Sequence, residues 1–152
     1  VKWGGIKGNK KESLDFYKTS TSQQLMNREL KGVSSWSKAL VIHDCNKYAI
    51  FDARVSCSLN ILQILSNNET KILFPILSSR NNLIKKGNSE IKEISTIENW
   101  SSLSNRIFYE EYIELLKSVA KELNTNISTI EMLLFAKAEF LATKLIYSKK
   151  EK

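Results

Sequence analysis

Apolar side chains recur at intervals of three and four residues along much of the chain, which is the period of an α-helix with one buried face. The clearest example lies in Arg106–Leu123, where charged and polar residues separate the apolar positions. Its apolar stripe consists of Phe108, Tyr112, Leu115, Leu116, Val119 and Leu123. No segment shows a convincing alternation of apolar and polar residues, the pattern of a half-buried β-strand. The sequence therefore predicts an all-α fold.

Glycines divide the first third of the chain. Three of the five glycines fall within the first eight residues and predict a flexible segment over residues 1–11. One or two modest helices are expected over Glu12–Tyr17 and Thr21–Leu30, and Gly32 then breaks the chain. The next helix is expected over Ser35–His43.

Polar residues mark the expected N-termini of two helices in the middle of the chain. Ser34 is predicted to cap the helix over Ser35–His43, and Asp52 to cap a helix that runs to about Leu65. The predicted inward positions of the second helix are Val55, Leu59 and Leu62.

The second half of the chain contains two sequences with the spacing of a capping box. Ser95-x-x-Glu98 predicts a short helix around Trp100, and Ser128-x-x-Glu131 predicts a long helix that ends near Tyr147. The long helix is apolar around most of its circumference and is therefore expected to be central. An irregular connection is expected around Pro75.

Length and composition limit the classes of protein to consider. A chain of 152 residues with 42% apolar and 26% charged residues fits one globular domain, residues 1–152, and no apolar run approaches a membrane span. One histidine and two cysteines are too few for a zinc finger or a disulfide scaffold, so no metal or organic cofactor is expected. Cys45 and Cys57 are expected to be free thiols in a reducing cytoplasm, although a single bond between them is the alternative.

The positive charge is concentrated at the front of the chain. Residues 1–50 contain nine Lys or Arg residues against four Asp or Glu residues, a net of +5, out of a total of +7. This asymmetry favours an anionic partner that contacts one region of the protein. The alternative is a Lys-, Asn- and Ile-rich composition whose charge has no partner.

Two stretches in this basic region resemble the helix-hairpin-helix DNA glycosylase superfamily, including its 8-oxoguanine DNA glycosylase branch. Leu30-Lys31-Gly32-Val33 resembles the hairpin, and Ile50-Phe51-Asp52-Ala53-Arg54-Val55 resembles the stretch that carries the family's aspartate. The resemblance covers about residues 25–65, the predicted hairpin and Asp-bearing core. The chain departs from the family where Lys31 replaces a proline, Ser34 a glycine and Arg54 a common histidine.

The resemblance implies that Asp52 and Lys38 are catalytic. Loss of a base from a nucleoside builds positive charge on the sugar, which a carboxylate such as Asp52 stabilises. An amine, Lys38 or alternatively Lys31, would displace the base and form a Schiff base with the sugar. If neither amine is aligned, Asp52 would activate water instead. The alternatives for these residues are a simple helix cap at Asp52 and a solvated helix lysine at Lys38.

Further residues are expected to bind DNA. Peptide N–H groups at a glycine turn and at a helix N-terminus bind phosphate, which indicates Lys31, Gly32 and Ser34. Arg54 is expected to pair with Asp52 or with a phosphate, and Arg80 in the loop after Pro75 with a phosphate.

The resemblance therefore implies a DNA repair enzyme that excises a modified or damaged base flipped out of duplex DNA, with or without lyase activity. A cytoplasmic, nucleoid-associated protein is expected, with no membrane partner. Because the usual superfamily domain is longer, a partial or minimal version of the fold is expected, which a further domain or partner chain could complete. The alternatives are a non-catalytic helix-hairpin-helix DNA-binding module and a helical protein–protein interaction domain.

Overall fold

Helices dominate the computed structural model, which describes residues 11–66 and 69–148. Two short strands pair in parallel, Ile72 with Ser101 and Leu73 with Ser102. The all-α class is therefore confirmed. In chain order the elements are α1 Lys11–Thr19, α2 Ser22–Met26, α3 Val33–His43, α4 Ala53–Leu65, β1 Ile72–Leu73, α5 Asn82–Ile97, β2 Ser101–Ser102, α6 Phe108–Glu122 and α7 Ile127–Ser148.

Helix α7 is central, as its apolar circumference predicts, and it packs against α4, α5 and α6. Helices α1 and α2 pack against α3 at the other side of the fold. An aromatic cluster joins α3 to α6, with ring centroids 4.8–5.1 Å apart. Its fully or nearly fully buried members are Trp36, Phe51, Phe108, Tyr109 and Tyr112. A second, aliphatic cluster fills the space between α4, α5 and α7.

The predicted helices are confirmed in type over most of the chain, and the first segments differ in their bounds. Lys11, assigned to the flexible segment, begins α1, and residues 1–10 lie outside the described residues. Helix α2 ends at Met26, because a series of turns over residues 27–32 replaces the expected helical continuation to Leu30.

The predicted caps of α3 and α7 are wrong. Gly32, not Ser34, is the N-cap of α3, and Ser34 lies inside the helix. Gly32 has a φ of 71°, a left-handed conformation that glycine adopts without strain. Ser128 likewise lies inside α7, because the Asn126 side chain accepts the hydrogen bond from the Thr129 N–H.

The largest error is the missed helix α5, because Ser95 and Glu98 mark its end rather than the start of a helix around Trp100. Asn81 caps its N-terminus, and the Asn81 side chain accepts from two backbone N–H groups. Gly87 lies in the middle of α5, where a Cβ would be 3.0 Å from the Ala142 Cβ. This glycine hides the helical pattern and at the same time permits the close approach of α5 to α7.

Two other sequence predictions can be compared with the structure. Leu62, expected to face inward, is 42% exposed and lines a groove between α4, α6 and α7. Cys45 and Cys57 are free thiols, as expected, and burial raises the pKa of Cys57 to about 12. No helix within residues 11–66 and 69–148 has the length and apolar character to cross a membrane.

Candidate functional site

The predicted hairpin is a turn that joins two helices packed against each other, α2 and α3. Glu29 and Gly32 both have a positive φ, which reverses the chain direction within a few residues. The Trp36 indole N–H donates to the Glu29 carbonyl at 3.1 Å and so fixes the turn to α3. No side chain caps the N-terminus of α3, and Lys31 is exposed beside it.

The segment that leads to Asp52 is held by side chains from two helices. The buried Ser37 hydroxyl of α3 accepts from the Phe51 N–H at 3.1 Å. From α6, the Tyr109 hydroxyl donates to the Ala49 carbonyl and the Tyr112 hydroxyl to the Ile50 carbonyl, each at 2.8 Å. Two consecutive peptide units, 49–50 and 50–51, are therefore fixed just before Asp52.

Asp52 is the N-cap of α4, as predicted. Its Oδ1 accepts from the N–H groups of Arg54 and Val55, at 2.9 and 3.0 Å. These two donors fix the orientation of the carboxyl group at the N-terminus of α4. The side chain is half-buried, so it is both positioned by the protein and open to a ligand.

Glu131 of α7 is the residue that the sequence analysis assigned only to a cap. It is buried, with 9% of its surface exposed. Burial, followed by the charge of Asp52, raises the pKa of Glu131 to about 7, and the charge of Lys38 acts in the opposite direction. Lys38 and Asp52 are thus both close enough to influence the same buried carboxyl group.

Beyond Glu131, the same stripe of α7 contacts the first turn of α4. The Arg54 guanidinium forms an ion pair with Glu139 at 2.5 Å and lies 5.1 Å from the centre of the Phe135 ring. Asn81 also donates to Glu139, at 3.0 Å. The Arg54 side chain therefore pairs with Glu139. The predicted pair between Arg54 and Asp52 is not formed, and the predicted phosphate contact stays a prediction.

The remaining predicted residues lie on the surface around this group. Lys38 is exposed on α3, and Arg80 is exposed in the loop just before the N-cap of α5. Ser34 is half-buried in the first turn of α3. The structure thus links the Arg80 loop with Arg54 through Asn81 and Glu139, whereas Lys38 and Asp52 form no ion pair within the described residues.

Lys38, Asp52 and Glu131 line none of the five best-defined surface cavities of the described residues. These cavities have volumes between about 200 and 570 Å³. The cavity of about 570 Å³ is an apolar groove between α4, α6 and α7. Within the described part of the chain, no cluster of His, Cys, Asp and Glu residues has the arrangement of a metal site.

Sequence analysis missed the role of Glu131 and Glu139, although a signal was present. Both carboxylates fall on one stripe of α7 with Phe135, at positions i, i+4 and i+8 of a helix whose residues are mostly apolar. Burial of a carboxylate on a central helix costs free energy unless a cation pairs with it, so its presence indicates an ion pair or a function.

Comparison with known proteins does not supply a relative. No protein family matches the chain, and no curated protein or solved structure is significantly similar to it. The residues of this site are therefore the basis for a functional proposal.

Proposed function

We propose that this protein is a DNA glycosylase-like enzyme that cleaves the N-glycosidic bond of a modified base in DNA. The observation that carries the proposal is the fixed, half-buried carboxylate of Asp52, which accepts two backbone N–H groups at the N-terminus of α4. The resemblance of residues 25–65 to the helix-hairpin-helix glycosylases supports it. The hairpin with a left-handed Gly32 and an uncapped α3 N-terminus agrees with phosphate binding at this turn.

In this reaction Asp52 stabilises the sugar. As the glycosidic bond breaks, its electron pair leaves with the base, and positive charge develops at C1′ and the ring oxygen. A carboxylate fixed by two peptide N–H groups is already oriented toward that charge and needs no rearrangement. The clamp on residues 49–51 serves the same purpose, because it limits where Asp52 can lie.

Lys38 and Glu131 have the complementary roles. The Lys38 ammonium first gives up a proton, and the free amine then attacks C1′ as the bond to the base breaks and its electron pair leaves with the base. The nitrogen loses a second proton, and the bond between C1′ and the ring oxygen opens, with its electron pair taken by that oxygen, to give the Schiff base. A carboxyl group whose pKa is about 7 accepts and releases protons readily at neutral pH, so Glu131 receives this proton. In a monofunctional enzyme, water replaces the amine and the same carboxylates activate it.

Duplex DNA is the expected partner. Lys31, Gly32 and Ser34 contact a phosphate at the hairpin, and Arg80 contacts a second one. Arg54 mainly holds α7 against α4 through its ion pair with Glu139. A contact between Arg54 and a phosphate would require the guanidinium to reach the DNA as well. The excess of basic over acidic residues in residues 1–50 favours association with the duplex.

Excision assays on duplex oligonucleotides, each with one modified base, test the proposal. Asp52→Asn should reduce excision by roughly a hundredfold or more while it retains the helix cap. Asp44→Asn is the matched control, because this exposed carboxylate also accepts a local backbone N–H. Lys38→Gln should abolish the adduct trapped by borohydride, whereas Lys31→Gln tests the alternative lysine. Full excision by Asp52→Asn would contradict the mechanism.

A second candidate function is a non-catalytic DNA-binding module. It is favoured by the five cavities, none of which is lined by Lys38 or Asp52. Salt-sensitive duplex binding that Lys31→Glu weakens for all sequences alike, without excision of any base in the panel, would support this module. Binding that neither salt nor Lys31→Glu changes would exclude both DNA functions and favour an interaction domain that uses the apolar groove.

A further inference from the structure

Helix α7 has a second apolar face, which points away from the core. Leu133, Phe140 and Tyr147 lie seven residues apart on it, and each has between 49% and 63% of its surface exposed. Because seven residues make almost two helical turns, the three side chains form one stripe about 21 Å long, here called the α7 stripe. A helix that is apolar on both faces is normally covered on both. No element within residues 11–66 and 69–148 covers the α7 stripe.

The apolar groove between α4, α6 and α7 lies directly beside this stripe. Leu133 and Phe140 of the stripe also line the groove, so the two form one continuous apolar surface. The opposite side of the groove is exposed as well, at Leu62 of α4 and at Leu115 and Leu123 of the α6 end. The surface therefore combines an exposed apolar stripe with an open apolar groove next to it.

This apolar surface is large enough for a stable protein interface. Aromatic side chains present roughly 150–250 Å² each, so the six exposed side chains of the stripe and groove leave on the order of 600 Å² in solvent. A stable interface takes about 800 Å² from each partner, of which about 500 Å² is apolar. Contiguous apolar patches of this size on a protein surface usually mark an interaction site.

Charges of opposite sign lie on the two sides of this surface. Lys137 of α7 lines the groove, and Lys144 falls seven residues further along the same side of the helix. Glu111 of α6 lines a cavity of about 280 Å³ that shares three residues with the groove. Glu122 falls seven residues after Leu115 and so lies on the groove side of α6. All four charged residues are exposed, and within the described part of the chain none of them forms an ion pair.

A second copy of this chain is the partner that this combination fits. In a twofold-symmetric dimer both copies use the same surface, so every contact between two residues occurs twice. Such a surface needs an apolar stripe beside an apolar groove, and basic residues beside acidic ones, which are the features present here. We propose that the protein forms a symmetric homodimer in which the α7 stripe of each copy enters the groove of the other, and Lys137 pairs with Glu111 of the partner subunit. The proposal is independent of the glycosylase function, because Lys38 and Asp52 line neither cavity.

Sedimentation velocity of the whole chain, over about 1 to 300 μM, tests the apolar part of the interface. The wild type should reach twice the mass of one chain. Phe140→Glu places a carboxylate in the interface and should raise the dissociation constant about a hundredfold or more. Ile42→Glu is the matched control, because it adds the same charge at an exposed apolar residue of α3 that lines neither cavity. Circular dichroism checks that both variants are folded.

A charge exchange tests the partner and the symmetry together. Lys137→Glu and Glu111→Lys should each weaken the dimer about tenfold, because each places two pairs of like charge in a symmetric interface. An equimolar mixture of the two variants should recover the wild-type affinity, because both pairs then join opposite charges. A wild type that stays monomeric, as it would if the groove held an apolar ligand or a different protein, would overturn the proposal. So would equal effects of Phe140→Glu and Ile42→Glu, or a mixture that associates no more tightly than its components.

Discussion

Two extended segments of this protein, residues 48–51 and residues 72–77, are both fixed largely by side chains, and only the second also pairs with a strand, at Ile72 and Leu73. The first receives hydrogen bonds from α3 and α6, which converge on three consecutive residues. The second lies along α4, and Ser56, Asn60 and Gln63 contact its backbone one helical turn after another. The first segment therefore fixes a single point, Asp52, whereas the second is fixed along its length.

The difference matches what each segment delivers. Residue 52 is the candidate catalytic carboxylate, for which a fraction of an ångström is important, and two rigid helices determine its position. The second segment carries the loop with Arg80 and one wall of a polar cavity against α5, where Asn88 donates to the Leu77 carbonyl. A binding surface of this kind requires a stable course of the backbone more than an exact placement of one atom.

The largest expected effect comes from Asn60→Ala. The Asn60 amide donates to the Phe74 carbonyl at 3.1 Å and accepts from the Phe74 N–H at 3.0 Å, fully buried. Its removal leaves both backbone groups without partners, and we expect the free energy of unfolding to fall by about 3 kcal/mol. Urea denaturation measures this loss. Gln63→Ala is the control, since its contacts with Ile72 are exposed and should be worth about 1 kcal/mol or less. Equal losses would contradict the dominant role of Asn60.

The first segment was easier to anticipate from the sequence than the second. Asp52 has the position and residue type of an N-cap, and the apolar pattern of the following residues indicates that a helix begins directly after it. In contrast, Ser56 and Asn60 are polar residues on a buried face, and their backbone partners lie 14 to 19 residues away. Local patterns of residue type do not contain that information.

The same reason explains the errors in α5 and at Glu131. Gly87 interrupts the helical pattern of α5, and only the packing of Ala142 against it explains why a glycine is there. Glu131 matches a capping box, but the electrostatic influence of Asp52 and Lys38 depends on how three helices meet. The pairing of Asp52 with Lys38 was inferred from the family resemblance, and both the pairing and its catalytic role stay predictions.

The free energy of unfolding should also depend on pH through Glu131, close to the first segment, by an amount similar to the loss expected for Asn60→Ala. Burial and Asp52 raise the pKa of Glu131 from 4.5 to about 7, while Lys38 partly offsets the shift. The folded protein then binds a proton that the unfolded chain releases, so this group's contribution to stability is greatest below pH 4.5 and is lost as the pH rises to about 7. The loss should be about 3 kcal/mol at most.

Unfolding measured between pH 4 and 8 in wild type and Glu131→Gln isolates this contribution. The variant should lack the decline between pH 4.5 and 7 and should exceed the wild type in stability at pH 8. Glu114→Gln, an exposed carboxylate on α6, is the control and should leave the profile unchanged. Parallel profiles for wild type and Glu131→Gln would indicate that Glu131 titrates like an ordinary surface carboxyl group.

The smallest expected effect on stability is that of Tyr112→Phe, and it sharpens the comparison most. The substitution removes one hydroxyl, which donates to the Ile50 carbonyl at 2.8 Å, and keeps the ring in the aromatic cluster. We expect a loss of about 1 kcal/mol in the free energy of unfolding, less than for Asn60→Ala.

Because Ile50 lies two residues before Asp52, the same change should lower the rate constant of base excision without weakening DNA binding. In the folded fraction of Asn60→Ala, DNA binding should weaken while the rate constant of base excision stays unchanged. The reason is that this substitution disturbs the Arg80 loop and leaves the hydrogen bonds to residues 49–51 intact. Single-turnover excision and duplex binding, measured at a temperature where both variants are folded, distinguish the two. Identical effects of both substitutions on excision would mean that the two segments do not have separate roles.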